Sequence, residues 1–323
     1  MRLLAAALLA ASLAAPARAA FNSGYAGTSG GEFLKLGGDA RGASMGQAMA
    51  AASEDAMALF YDPAGLSQLQ QREGTASQGF LYQNVTLSYV GYAHPVSPIV
   101  KPARRFMRPS GLGTLALGVL YLNSGNISEI DNTGTPTGGQ FTPRDVAAIA
   151  GWGATLTDYF DFGLSFKYVE SRIEASARTG AADFGARLRL DLAGLPYTAA
   201  LVARNLGGQM RFHAQTDPLP VEVRLGQTLR VLPQWLMSVD LAFPRDGAPY
   251  PAFGTEYSFR VDDDISVAVR GGYDGRVSAA ALDGIADMCF GLGATRKGWG
   301  IDYGWVPFGV LGHTHRFSLT YRF

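Results

Sequence analysis

The feature that most constrains the fold is an alternation of apolar and polar residues, with a period of two, that recurs from residue 73 to residue 323. Such alternation predicts β-strands with one apolar and one polar face. Most of the segments are about 9–11 residues long, the length of a tilted strand that crosses a bilayer. The pattern predicts about 14 strands, at residues 73–80, 86–93, 112–122, 146–156, 160–170, 182–192, 197–206, 222–231, 235–243, 252–261, 264–272, 288–296, 299–306 and 314–323.

The connections between these segments alternate between short and long. Tight turns are predicted at 157–159, 193–196, 232–234, 262–263 and 297–298, and longer loops rich in Gly, Pro and Asn at 123–145, 207–221, 244–251, 273–287 and 307–313. Bacterial outer-membrane barrels have this asymmetry, with short periplasmic turns and long external loops. One long, basic connection, residues 94–110, lies on the predicted periplasmic side; it is either a solvated insertion or a contact for a periplasmic partner or lipid headgroups.

The composition agrees with a membrane barrel and excludes other classes. After the N-terminal segment no run of 18 apolar residues occurs, and the mean hydropathy is only +0.06, because only alternate residues of a barrel strand face lipid. The single cysteine, Cys289, allows no internal disulfide. The 27 basic and 27 acidic residues leave no basic excess that would indicate nucleic-acid binding. We therefore expect an all-β transmembrane antiparallel barrel over residues 73–323.

The N-terminal residues have the three parts of a secretory signal peptide. Arg2 precedes an apolar run at residues 3–15, and Ala17-Arg18-Ala19 matches an A-x-A cleavage site. We expect a signal peptide at 1–19 and a location in the bacterial outer membrane.

The last predicted strand shows the two faces most clearly. Phe317, Leu319, Tyr321 and Phe323 share the face that suits lipid, and Arg316, Ser318, Thr320 and Arg322 share the face that suits a polar lumen. A strand of this kind ending in Phe resembles the signal read by the bacterial barrel-assembly machinery. The expected partners are therefore outer-membrane lipid and that machinery, with the four aromatic and apolar residues as the assembly signal.

Residues 20–72 do not alternate and form a separate, partly helical segment. Ser53-Glu54-Asp55 predicts a helix start, residues 56–61 continue the helix, and Asp62-Pro63-Ala64-Gly65 ends it. The segment is either a hatch folded into the lumen or a periplasmic helix beneath the barrel. For a hatch, the expected lumen contacts are Met45, Met57, Leu59, Phe60, Asp62, Pro63 and Gly65.

Several motifs resemble those of the PorV/PorQ family, within the FadL-like group of outer-membrane barrels. The densest match is FLKLGGDARGASMG at residues 33–46, followed by ASEDA at 52–56 and YDPAGL at 61–66. Later matches are RNLG at 204–207, DPLP at 217–220, RLG at 224–226, GTEY at 254–257, RGGY at 270–273 and GHTHRFSL at 312–319. Asp62 departs from the Asn that is usual in the family. The resemblance implies a 14-stranded barrel with an N-terminal hatch.

The resemblance leaves three functions open. A PorV-like barrel is a protein-secretion component that holds the C-terminal signal of a secreted cargo protein, as in type IX export. A FadL-like barrel is a passive transporter of hydrophobic small molecules through a hatch-gated lumen, and a third possibility is a structural or adhesive barrel. An apolar pocket between hatch and wall favours the transporter, whereas an open lumen with an apolar external rim favours secretion.

The chain is not expected to be an enzyme, and no cofactor or metal is expected. Gly42-Ala43-Ser44-Met45-Gly46 fits the G-x-S-x-G pattern, but no predicted strand precedes it as a nucleophile elbow requires. His313 and His315 share one strand face without further metal ligands nearby. The acidic run at 262–264 lacks the Gly and terminal Glu of a calcium loop and is interpreted as a turn.

Overall fold

The structure is a computed structural model that describes residues 28–96, 112–173, 175–212, 215–276, 287–308 and 312–323. The predicted signal peptide lies outside the described residues, as does most of the basic connection at 94–110.

Fourteen strands form one closed antiparallel barrel, as the alternation predicts. Neighbouring strands pair in chain order, and the first and last strands pair to close the barrel, with Ala76 opposite Leu319. The barrel strands are β1 (Glu73–Phe80), β2 (Thr86–Pro95), β3 (Thr114–Asn123), β6 (Arg144–Thr157), β7 (Phe160–Arg172), β8 (Ser176–Leu192), β9 (Leu195–Gly207), β12 (Glu222–Leu232), β13 (Trp235–Pro244), β14 (Tyr250–Arg260), β15 (Ile265–Asp274), β16 (Met288–Arg296), β17 (Trp299–Pro307) and β18 (His313–Arg322).

Two of the long connections contain hairpins that the sequence analysis treated as loops. The hairpin of β4 (Ile127–Ile130) and β5 (Pro136–Phe141) stands between β3 and β6, and that of β10 (Gln209–Phe212) and β11 (Gln215–Pro218) stands between β9 and β12. Strand β8 also begins six residues earlier than the predicted 182. The added residues of β8, Ser176 to Ala181, are polar or small on both faces, so no lipid-facing alternation marks them.

The barrel has two unlike ends. The turn end carries the tight connections at 158–159, 193–194, 233–234, 261–264 and 297–298, together with the long connection between β2 and β3. The loop end carries the short connection between β1 and β2 and the other long connections. Exposed aromatic side chains form a belt near each end of the outer face, where interfacial aromatics concentrate in membrane proteins. The turn-end belt includes Tyr92, Trp235, Tyr257, Phe259, Trp299 and Phe323, and the loop-end belt includes Phe80, Tyr82, Phe290 and Phe317.

The N-terminal segment lies inside the barrel rather than beneath it. Residues 28–72, called the hatch below, contain the helices α1 (Ala40–Ser44) and α2 (Ala58–Tyr61) and the 3-10 turns Glu32–Lys35 and Pro63–Gln68. No helix in the described ranges is long and apolar enough to span a membrane. The hatch starts at the loop end, where the Gly30 amide donates to the Pro218 carbonyl at 2.9 Å, and reaches the turn end, where the Ala56 amide donates to Glu73 at 2.8 Å.

Candidate functional site: the interface between hatch and barrel wall

The structure buries all seven residues named as lumen contacts. The exposed fraction is 0% for Met45, Leu59 and Asp62, and it is 2–3% for Phe60 and Met57. Buried positions are also occupied by Pro63 and Gly65. Several belong to the main apolar cluster of the molecule, which joins the hatch to inward-facing residues of the wall. The structure thus brings these residues together in the lumen; their role in blocking and gating it stays a prediction.

Inward-facing glycines let the wall approach the backbone of the hatch. At each, an added Cβ would lie within 3 Å of a hatch atom, so a larger residue would displace the hatch. Glycine within a strand is often the mark of such a close backbone approach. These glycines are Gly151, Gly153, Gly163, Gly185, Gly226, Gly254, Gly272, Gly291 and Gly304.

A buried arginine on β8 holds the middle of the hatch. The Arg187 Nε atom lies 2.5 Å from the Asp62 carboxylate, and its Nη2 atom donates to the Ala50 carbonyl at 2.9 Å and to the Ser53 hydroxyl at 3.1 Å. Asp62 also accepts from the Ala64 amide at 3.0 Å and so begins the 3-10 turn at Pro63. Both charged side chains are 0% exposed, so each requires the other to offset the cost of burial.

Further arginines of the wall donate to the hatch backbone. Arg224 on β12 donates to the Gln47 carbonyl at 2.7 Å and pairs with Glu222 at 2.6 Å. Arg316 on β18 donates to the Gly37 carbonyl. From the hatch side, Arg41 pairs with Glu256 on β14 at 2.8 Å. The hatch is therefore attached to several strands around the barrel by charge-assisted hydrogen bonds.

Within the hatch, Asp39 connects its two helices. Its carboxylate accepts from the Gly42 amide at 3.2 Å as the N-cap of α1, and from the Tyr61 hydroxyl of α2 at 2.8 Å. Burial, with a contribution from nearby Asp55, raises the pKa of the Asp39 carboxyl to about 6.

One sector of the inner wall is apolar. No charged side chain occupies the inward positions from Leu87 to Ala93 on β2, from Thr114 to Leu122 on β3, or from Ala147 to Thr155 on β6, all of which are described. Leu59 of the hatch packs here against Gly118 and Gly151, and the Phe60 ring lies 6.5 Å from the Tyr89 ring. The inward members of this apolar sector are Leu87, Tyr89, Ala93, Ala116, Leu120, Leu122, Ala147 and Ile149.

A polar cavity lies at the turn end, on the opposite side of the hatch. It has a volume of about 500 Å³ and is lined by charged residues of both signs. Arg270 bridges Glu256 and Asp302 at 2.6 Å each, and Arg41 also contacts Asp55 at 3.3 Å. Charged side chains thus face the lumen on β14, β15, β17 and β18, as well as on β7, β8, β9, β12 and β13. The apolar sector is limited to β2, β3 and the part of β6 from Ala147 to Thr155.

The remaining residues considered in the sequence lie apart from this interface or serve its packing. Ser44 is buried and donates to the Arg41 carbonyl at 2.9 Å, while Gly46 has a positive φ of 61° and lies close to the Tyr273 backbone. The G-x-S-x-G pattern is therefore explained by close packing in the hatch. His315 lies on the outer face, 2.8 Å from the Tyr303 hydroxyl, and Asp262 accepts two backbone amides in the β14–β15 turn.

The inward arginines and glycines were not predicted as a site from the sequence. Two signals in the sequence could have indicated it. Arg187 and Arg224 fall on the alternate strand positions whose side chains face the lumen, and glycines recur two residues apart, as in Gly151-x-Gly153 and Gly291-x-Gly293. Neither signal tells which part of the chain the residue contacts.

Comparison with solved structures identifies the same fold in hydrocarbon-transport barrels. The toluene transporter TbuX of Ralstonia pickettii aligns with a TM-score of 0.55 at 12% identity, covering 90% of this chain and 100% of that one. The Pseudomonas putida toluene transporter TodX aligns with a TM-score of 0.52 at 11% identity, covering 88% of this chain and 96% of that one. A Pseudomonas aeruginosa FadL homologue aligns with a TM-score of 0.48 at 11% identity, covering 88% of this chain and 98% of that one.

No family model matches the chain, and no curated protein matches it. The structural matches give no evidence for the PorV/PorQ branch in particular. At 11–12% identity, the likeness to the two toluene transporters establishes the fold alone, a 14-stranded barrel.

Proposed function

We propose that the protein is an outer-membrane barrel that transports small hydrophobic molecules, with the hatch as the element that closes its lumen. The apolar sector of the wall carries this proposal. A hydrophobic solute that entered at the loop end would pass Asp145, the charged inward residue at the mouth of this sector, opposite Leu122. It would then meet Leu120 and Ile149, and from there to the turn end no charged side chain faces inward on β2, β3 or β6. Pockets that bind small apolar molecules are lined mainly by such residues.

The charged residues of the lumen hold the hatch in place, whereas the apolar sector only packs against it. Arginines on β8, β12 and β18 hold hatch carbonyls, whereas the contacts of Leu59 and Phe60 with β2, β3 and β6 are apolar packing. Apolar packing can be exchanged for contacts with an apolar ligand at little cost, whereas a buried charge cannot lose its partner. The apolar sector is therefore where a ligand could pass the hatch.

The alternative proposal is a secretion component that holds a cargo signal, and it rests on the motif resemblance at residues 33–46 and 61–66. That function would favour an open lumen, whereas the lumen of this protein is occupied by the hatch. We therefore place the transport of small molecules first.

The test is uptake by cells of a Gram-negative host that lacks its own hydrocarbon-transport barrel. Cells that express the full chain should take up labelled toluene several-fold faster at early times than cells with an empty vector, while the uptake of a disaccharide should not change. If the protein is correctly inserted and toluene uptake does not rise, the proposal is wrong for this ligand class. Stable co-purification of a secreted protein with the barrel would favour the alternative.

A matched pair of variants at one position tests the path. Leu122 is 9% exposed and faces the lumen near the loop end. Leu122→Glu should reduce toluene uptake to near the background rate, because a second carboxylate beside Asp145 raises the cost of passage for an apolar solute. Leu122→Met should retain uptake because it keeps the position apolar. Equal uptake by both variants would exclude a path along this sector.

A further inference from the structure

The outer face of β6 carries an apolar groove below a cluster of arginines. Ala148 and Ala150 form the floor of the groove because their side chains are small. Their cross-strand partners are large: Val119 and Leu117 on β3, and Tyr168 and Phe166 on β7. The groove has a volume of about 680 Å³, which is within the usual size of small-molecule sites.

Three exposed arginines lie on the same outer face at the loop end. Arg144 on β6 is directly opposite Arg172 on β7, and Arg178 on β8 is opposite Glu170 on β7. Like charges directly opposite each other on a sheet destabilise it unless an anion lies between them. Among the described residues, no carboxylate forms an ion pair with Arg144 or Arg172.

The one described carboxylate of the cluster is already engaged. Glu170 lies 3.3 Å from Arg178 and accepts a hydrogen bond from the Tyr168 hydroxyl at 3.2 Å. The three arginines and this glutamate together carry a net charge of +2. Arginine is well suited to phosphate because its planar guanidinium donates two parallel hydrogen bonds.

The groove and the arginines are continuous along the strands. Positions 150, 148, 146 and 144 of β6 share the outer face, so Arg144 lies four residues, about 13 Å, beyond Ala148. An acyl chain in the groove would therefore place its headgroup among the arginines.

We infer that this surface is a binding site for an anionic, phosphate-bearing lipid, with an acyl chain on the Ala148–Ala150 floor and the phosphate between Arg144 and Arg172. The inference rests on the membrane location proposed above but does not depend on what passes through the lumen. It is tested by binding, so its failure is distinguishable from failure of the transport proposal.

The experiment is native mass spectrometry of the detergent-solubilised full chain, titrated with phosphatidylglycerol or with phosphatidylcholine of the same acyl chains. The intact protein should bind phosphatidylglycerol about tenfold or more tightly than phosphatidylcholine. The double variant Arg144→Gln/Arg172→Gln should lose that preference, because each lost charge-assisted hydrogen bond weakens binding by about tenfold. Arg245→Gln, which removes an exposed arginine at the loop end next to β13, is the control and should bind as the intact protein does.

The groove is tested separately. Ala148→Trp should fill the floor and weaken binding of both lipids, whereas Ala294→Trp, also exposed on the outer face but on β16, should not. Unchanged phosphatidylglycerol binding in the double arginine variant overturns the inference. Displacement of the lipid by inorganic phosphate, with no effect of Ala148→Trp, would indicate a free-anion site and would also overturn the inference. A change in the oligomeric state alone in Ala148→Trp would indicate a subunit interface and would overturn it as well.

Discussion

At the scale of single residues, the Arg187–Asp62 pair is the contact on which hatch attachment most depends. It joins residues 125 positions apart and is completely buried. Removing one partner of a buried ion pair costs much more than removing a surface pair, because the remaining charge keeps its desolvation cost without compensation.

We expect Arg187→Met to destabilise the attached hatch by about 3–5 kcal/mol. The measurement is amide hydrogen exchange of residues 45–66 in the folded barrel, which should accelerate strongly. The second change Asp62→Asn should recover part of the loss, because it removes the unpaired charge. The control is Arg178→Met, whose side chain is 62% exposed, and which should cost under about 1 kcal/mol. Equal exchange in Arg187→Met and the intact chain would contradict this role.

At the scale of elements, a strand has one face toward the hatch and one toward lipid, and adjacent glycines show the difference. An added Cβ at Gly272 on β15 would meet the backbone of Met45 and Gly46, whereas at Gly271 the nearest atoms are 3.9 Å away or more. The first position therefore requires glycine and the second does not.

We expect Gly272→Val to displace the first half of the hatch and to expose residues 37–49 to added protease, while Gly271→Val leaves the digestion pattern unchanged. The valine at 271 fits the pleated outer surface, where β-branched residues are favourable. Similar digestion of both variants would mean that the hatch does not require the close approach at Gly272.

The last strand provides a second pair of neighbouring positions. Leu319 is 44% exposed on the outer face, and the Thr320 hydroxyl faces inward, 3.3 Å from that of Thr75. Leu319→Arg should reduce the free energy of unfolding by about 1–4 kcal/mol depending on its depth in lipid, and Thr320→Arg by much less. Urea titration of the protein folded in lipid vesicles measures both, and equal losses would contradict the assigned faces.

At the scale of the whole molecule, the hatch and the wall form one packed core inside a closed sheet. A barrel of 14 strands encloses a lumen too wide to be filled by wall side chains alone, since about eight strands give a lumen that side chains just fill. Here the wall instead carries glycines at the contact positions, and the hatch supplies the volume.

We expect removal of residues 33–66 to leave a barrel that still inserts into membranes and conducts ions in planar bilayers well above the intact protein. The strands and their pairing do not include this segment, and its absence would leave a lumen lined by glycines and by arginines that have lost their hydrogen bonds to the hatch. The control deletion removes residues 128–140, the exposed hairpin at the loop end, and should not raise conductance. A truncated barrel that inserts without added conductance would show that the segment does not close the lumen.

The strand number and the lipid-facing residues could be predicted from the sequence alone. Each outward residue is apolar because it contacts lipid, whatever the rest of the chain does. The period-two pattern along the last strand, from Phe317 to Phe323, therefore predicts which of its residues face lipid. The predicted bounds of β1 and β16 agree with the structure.

Only the tertiary structure decided where the hatch lies and what holds it. The contacts of Arg187 with Asp62 and of Arg316 with Gly37 join residues more than 120 positions apart, and no local pattern encodes which partner an inward arginine or glycine will meet. The two hairpins at the loop end were missed for a different reason. Their strands are only four to six residues long, and Met210 of β10 packs against the hatch and does not face lipid, so the membrane-length alternation that reveals the barrel strands is absent from them.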